Sequence, residues 1–177
     1  GHLRIAVNLF PVHFRQSTLI EDVKHALSES GLSPEALELE ITENIALSYD
    51  ESLLAPLKEL RAMGISIAFD DFGTGYASLS CLTNFPLTRI KIDRSFVQTV
   101  AADAPAENSA IVRSILAMAR NLKLDVTAEG VETLAQADFL RSESCQELQG
   151  YLFSKPVPSE TFESFLASRI VPEQVAS

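Results

Sequence analysis

Six short apolar runs alternate with amphipathic helical segments along the whole chain: Arg4–Leu9, Leu37–Ile41, Ile65–Phe69, Arg89–Ile92, Leu124–Ala128 and Leu148–Phe153. Short runs rich in Val, Ile, Leu and Phe suit strands buried on both faces. The spacing predicts a helix from about Thr18 to Ser30, with Leu19, Ile20, Val23, Ala26 and Leu27 on one face. A second runs from about Asp50 to Met63 and carries Leu53, Leu54, Leu57 and Leu60. Pro56 obscures its start, because proline suits only a first helical turn. A third begins after Asn108, with Ile111, Ile115, Leu116, Ala119 and Leu122 aligned. Gly31 and Gly64 follow the first two helices as C-terminal caps. Thr133 and Ser159 are N-cap candidates for two more, ending near Arg141 and Ser168. Strand followed by helix, repeated about six times with short connections, requires right-handed crossovers and a parallel sheet. The predicted fold class is α/β.

Composition narrows the possibilities. With 46% hydrophobic and 21% charged residues, the chain is neither disordered nor fibrous. Its 177 residues fall well short of the roughly 250 usual for an α/β barrel. The net charge of −10, without a Lys/Arg run, argues against binding a nucleic-acid duplex or an anionic membrane. An acidic protein can still bind phosphates when a metal inverts the local charge. Cys81 and Cys145 lie far apart and outside any Cys-x-x-Cys pattern, so they read as reduced, buried thiols. No stretch approaches 18 apolar residues and the N-terminus carries no signal-peptide pattern, so a soluble cytoplasmic chain without direct membrane insertion is expected. The 101–106 segment reads as a polar loop and 169–177 as a C-terminal tail.

The polar residues that end these runs carry the chemistry. Asn8 ends the first, Glu40 lies near the end of the second, and Asp70 and Asp71 follow the third. Lys91 sits within the fourth, Glu129 follows the fifth and Gln149 lies in the sixth. In parallel α/β sheets and barrels, the C-terminal strand ends share one face, and that face holds the site. Four carboxylates gathered there, with an amide beside them, cannot all ionise without cations. Every candidate ligand is an oxygen donor, and no histidine occupies a strand end, which favours Mg²⁺ or Mn²⁺. Adjacent Asp70 and Asp71 suit a two-ion clamp on a phosphoryl group, and Lys91 suits positioning water or neutralising charge. Each residue also has a plainer reading: Asp-Asp before Gly as a turn, Glu40 as a solvated strand-end charge, Asn8 as a turn residue and Lys91 as a salt-bridge partner. Gly73-Thr74-Gly75 is not a Walker loop, since no Gly-Lys-Ser/Thr follows; it reads as a tight loop whose glycines permit positive φ.

The segment Asp70-Asp71-Phe72-Gly73-Thr74-Gly75-Tyr76 resembles the signature loop of EAL domains, the bacterial cyclic di-GMP phosphodiesterases. Val7-Asn8-Leu9, Glu38-Leu39-Glu40-Ile41-Thr42-Glu43, Lys91-Ile92-Asp93-Arg94-Ser95-Phe96-Val97, Ala128-Glu129-Gly130-Val131-Glu132-Thr133 and Gln149-Gly150-Tyr151-Leu152-Phe153-Ser154-Lys155-Pro156 match in order and spacing. The resemblance implies a TIM-like barrel and hydrolysis of cyclic di-GMP to linear pGpG with two Mg²⁺ or Mn²⁺ ions. It assigns Asn8, Glu40 and Asp70 to the first ion, and Asp70, Asp71 and Glu129 to the second. Lys91 would position the hydrolytic water, with Glu129 also viewed as a general base. Glu43 would stabilise the 70–76 loop, which in this family links the metal site to dimerisation. Glu132 and Gln149 would stand behind the ligands or contact water, and Asp93 and Pro156 would border the nucleotide.

The family's Glu-Ala-Leu motif belongs on a strand well before Asn8. Glu35-Ala36-Leu37 spells it, but sits in a Ser-Pro turn ahead of the Glu40 strand. The expectation is therefore an EAL domain over residues 3–168 that starts at the family's third strand. It would be an incomplete barrel of about six of eight strands, lacking one metal-ligating glutamate and a phosphate-gripping arginine. The implied partners are cyclic di-GMP, a second copy in a homodimer, and an upstream sensory or GGDEF-type domain. Alternatives are a non-catalytic cyclic di-GMP receptor and a dimerisation or scaffold module.

Overall fold

The computed structural model describes residues 3–15, 18–43, 45, 51–75, 79–100 and 106–169. Its order is β1 (Ile5–Asn8), α1 (Pro11–Arg15), α2 (Leu19–Ser30), a 3₁₀ turn at Pro34–Ala36, β2 (Leu37–Thr42), α3 (Glu51–Ala62), β3 (Ser66–Phe72), α4 (Leu79–Asn84) and β4 (Arg89–Ile92). There follow α5 (Arg94–Val97), α6 (Ala106–Leu122), β5 (Asp125–Ala128), α7 (Leu134–Ser142), β6 (Glu147–Leu148) and α8 (Ser159–Arg169). The sheet order is β1-β2-β3-β4-β5-β6, every neighbouring pair parallel. Strands that follow one another without reversal wind in the barrel sense; a doubly wound sheet would reverse its order at a switch point. The sheet curls far enough for Arg4, beside β1, to reach Glu147 on β6 at 3.3 Å. This is an incomplete α/β barrel.

The strands are not apolar on both faces, as their hydrophobicity suggested. Leu39 and Ile41, Ile67 and Phe69, Ile90 and Ile92 are buried on alternate positions and join the core with Leu57, Leu60, Leu116 and Leu140 from the helices. The intervening positions hold Glu38 and Glu40, Asp70, Arg89 and Lys91, and Thr127. Side chains alternate across a strand, so the inner face of the arc is a charged lumen.

The helices follow their apolar stripes with local shifts. Leu19, Val23 and Leu27 of α2 are buried, and Gly31 caps the helix by donating to Leu27 O at 3.0 Å. Helix α3 keeps Pro56 in its interior, past the first turn. In α6 the buried stripe is Val112, Ile115, Leu116 and Ala119, whereas Ile111 is 48% exposed and Leu122 37%. Thr133 caps α7 in a full capping box with Gln136. The sixth run forms only two strand residues instead of reaching Phe153. Val131 N donates to Gln149 O and Leu152 N to Val131 O, both at 3.0 Å, so the chain leaves the ladder to bond the loop after β5. Cys81 and Cys145 are both buried, and neither forms a disulfide. Val7, Ile5 and Leu3, at or beside the β1 edge, are 44%, 53% and 56% exposed. Among the described residues no helix is long and apolar enough to cross a membrane. The expected loop at 101–105, the tail from 170 and Tyr76 lie outside the described residues.

Candidate active site

Lys91 organises the C-terminal end of the lumen. Its Nζ lies 2.7 Å from Glu40 Oε1, 2.8 Å from Glu129 Oε1 and 2.9 Å from Asp70 Oδ1, joining β2, β3, β4 and the end of β5. Register staggers the ring: Glu40 pairs with Ala68, itself opposite Arg89, so Glu40 lies one inward step before Lys91, and Glu129 lies one step past Thr127, the partner of Lys91. Strand tilt in a barrel brings such staggered positions together. The β3–β4 pairing skips a residue between Phe69 and Phe72. That bulge brings Asp70 and Asp71 to the same side of the sheet, with Asp71 at φ 53, a conformation aspartate tolerates better than most residues. One oxygen each from Asp70, Asp71 and Glu129 lies within 4.8 Å of the others.

The charges at this level do not balance. Burial is the largest influence on Lys91 and opposes its charge, yet hydrogen bonds from its ammonium to carboxylates outweigh it and hold the group above the ordinary lysine range. Burial pushes Glu40 and Glu129 above the ordinary carboxylate range despite Lys91. Asp71 is pushed up by burial and then by the charges of Asp70 and Asp93, with Lys91 and Arg94 opposing. Asp70 Oδ1 is fully buried and contacts Lys91 without the alignment of a hydrogen bond. Four carboxylates share one close ammonium, and an oxygen-only donor set with an unsatisfied buried oxygen fits a hard divalent cation.

A second polar layer lies below. Arg89 Nε donates to Glu38 Oε2 at 2.9 Å, and its Nη1 lies 3.0 Å from both Thr127 Oγ1 and Glu147 Oε2. Arg4 Nη1 reaches the same Glu38 oxygen at 3.3 Å. None of these lumen partners was singled out from the sequence. Their signal is the two-residue spacing of Glu38 with Glu40, Arg89 with Lys91 and Thr127 with Glu129, a period of two within runs that look apolar.

The EAL domain family model matches residues 1–156. The chain belongs to the EAL domain family. It is 46% identical over 169 residues to cyclic di-GMP phosphodiesterase NbdA from Pseudomonas aeruginosa, covering 94% of this chain and 21% of that protein. The phosphodiesterase structure of MucR in complex with cyclic di-GMP superposes with a TM-score of 0.82 at 43% identity, over 90% of this chain and 64% of that one. BlrP1 from Klebsiella pneumoniae, in a manganese/cyclic di-GMP complex, gives a TM-score of 0.78 at 35% identity, over 86% and 39%. The chain spans about a fifth of the length of the curated relatives it matches.

The remaining residues singled out in this EAL chain are distributed unevenly. Asn8 stands opposite Glu40 in the β1–β2 register, is exposed, and makes no side-chain hydrogen bond among the described residues. Glu43 is buried and its Oε1 accepts from Gly73 N at 2.8 Å. A Cβ at Gly75 would strike the other Glu43 oxygen, so glycine is needed there for close approach; only Gly73 of the pair has positive φ. Beside the carboxylates opens a cavity of about 260 Å³ lined by Asp71, Asp93, Arg94, Glu129, Gly130, Glu132, Gln149, Gly150 and Tyr151. Asp93 also caps α5 by accepting from Ser95 N at 2.9 Å. Pro156 is exposed in the 154–158 segment and does not line the cavity. Glu35 of the Glu-Ala-Leu triplet lies in the 3₁₀ turn before β2 and packs against Gly64, at the opposite end of the sheet.

Proposed function

We propose that this EAL domain, spanning residues 3–168 and acting within a longer signalling protein, hydrolyses cyclic di-GMP to linear pGpG. The observation that carries the reading is Lys91 ringed by Glu40, Asp70 and Glu129 with Asp71 alongside, at the mouth of a cavity. Asn8, Glu40 and Asp70 would hold one Mg²⁺ or Mn²⁺, and Asp70, Asp71 and Glu129 a second. Ions bound there supply charge neutralisation at the phosphate and a more acidic water. Lys91 would orient the attacking water and Glu129 would accept its proton. Phosphorus would gain the water oxygen and release a ring 3′-oxygen, which takes up a proton and opens the cycle to pGpG. Glu43 holds the loop after Asp71 in place, Glu132 and Gln149 order water around the ligands, and Asp93 and Pro156 border the nucleotide.

The exposed edge of β1 supports a sheet that continues in the parent protein or against a second copy, and this bears on activity. The test is incubation of the chain with cyclic di-GMP and Mg²⁺ or Mn²⁺, followed by chromatography for pGpG. Product that disappears in Asp70→Ala supports the enzyme. Binding without product indicates a receptor, and neither, together with a dimer in solution, an assembly module.

A further inference from the structure

The cavity beside the carboxylates has a charge problem of its own. Of its nine lining residues four are carboxylates, Asp71, Asp93, Glu129 and Glu132, and Arg94 is the single cation. Arg94 opens α5, directly after the Asp93 cap. Its Cβ occupies the space that a side chain at Gly130 would need, and Gly130 holds φ 69, so the stem of Arg94 is seated against the turn that follows Glu129. Among the described residues the guanidinium has no hydrogen-bond or ion-pair partner and is exposed. A stem fixed by packing and a head left free beside an anion-repelling wall is the arrangement of a ligand-binding arginine. A planar guanidinium binds phosphoryl oxygens in a bidentate fork.

We propose that Arg94 anchors a phosphoryl group of the dinucleotide substrate in this cavity. The proposal rests on the cyclic di-GMP reading above and adds a contact that the strand-end residues do not supply. Its role is ground-state binding: it raises affinity and leaves the rate of the bound complex to the Lys91 cluster.

The experiment is calorimetric titration of the full chain with cyclic di-GMP in Ca²⁺ across a salt series, for wild type, Arg94→Gln and Arg94→Lys. Both variants keep the stem packed on Gly130, and unfolding temperatures check that each is folded. A Kd raised about tenfold or more in Arg94→Gln, less in Arg94→Lys, with a shallower salt dependence in Arg94→Gln, supports the anchor. Equal affinity in Arg94→Gln, or weaker binding with an unchanged salt dependence, overturns it while the functional reading stands. Should Arg94→Gln not fold, weaker binding by Arg94→Lys supports the fork geometry, and unchanged binding overturns it. A wild-type chain that does not bind cyclic di-GMP overturns both.

Discussion

Arg4 Nη2 and Glu147 Oε1 lie 3.3 Å apart, although 143 positions separate the two residues. The pair spans the mouth of the arc from β1 to β6, and both partners also contact the Glu38–Arg89 layer. The sheet edges are thus tied through the lumen by charge, beneath the level at which Lys91 gathers its carboxylates.

That lower layer sets the first prediction. Arg89 is almost wholly buried and serves Glu38, Thr127 and Glu147. Arg89→Met leaves Glu38 buried without its closest partner, and losing one side of a buried pair costs about 3–5 kcal/mol. A large drop in unfolding temperature is expected, and a calorimetric scan showing no change would contradict this role.

Lys91→Met removes the ammonium from three carboxylates. Turnover of cyclic di-GMP is expected to fall by two or more orders of magnitude. The metal-free variant is expected to melt below the wild type, and Mn²⁺ to restore more of its stability than it adds to the wild type, since ions then carry all the compensation. Thermal scans with EDTA and with Mn²⁺ measure both effects.

The carboxylates dictate a pH dependence. Glu40, Glu129 and Asp71 are all shifted upward, mainly by burial. A group whose folded pKa exceeds its unfolded value contributes stability below the unfolded pKa and loses it as pH rises through the folded one. The metal-free protein therefore loses this contribution as pH climbs above the ordinary carboxylate range, about 4–4.5. Metal binding displaces the same protons, so Mn²⁺ affinity rises over that window. The gap between unfolding temperatures in Mn²⁺ and in EDTA should widen with pH, and a constant gap would count against these ligands.

The Glu43 strap separates loop order from overall stability. Gly75→Ala drives a methyl group into the Glu43 carboxylate, and Glu43→Ala removes the acceptor of Gly73 N. Both should lower turnover about tenfold or more while the apolar core outside the strap is kept. Equal activity in Glu43→Ala, measured by pGpG release, would remove Glu43 from the functional set.

The alternation of strands and helices, the stripe of α2, the Thr133 cap and the strand-end carboxylates were all legible in the sequence, because each depends on local spacing. The charged lumen was not. Glu38, Arg89 and Glu147 come from β2, β4 and β6, and only the closure of the sheet makes partners of them. Ile111 misled for a related reason: the rotation of α6 is set by its packing, and Val112 faces inward instead. Arg94 was hidden because an arginine opening a short helix carries no signal until Gly130 is seen against it.

The skipped residue in β3 has a consequence for heredity as well as for chemistry. A regular strand offers the lumen every second residue, so two adjacent aspartates could not both serve one site. The bulge breaks that parity, with Asp71 in a left-handed conformation beside Asp70. The length of this strand is consequently a coding constraint. The two residues between Phe69 and Phe72 are Asp70 and Asp71 themselves, so a deletion that smoothed the ladder would remove one of the two carboxylates. Drift at this position is limited by arithmetic, and a gain in sheet regularity would be a loss of site.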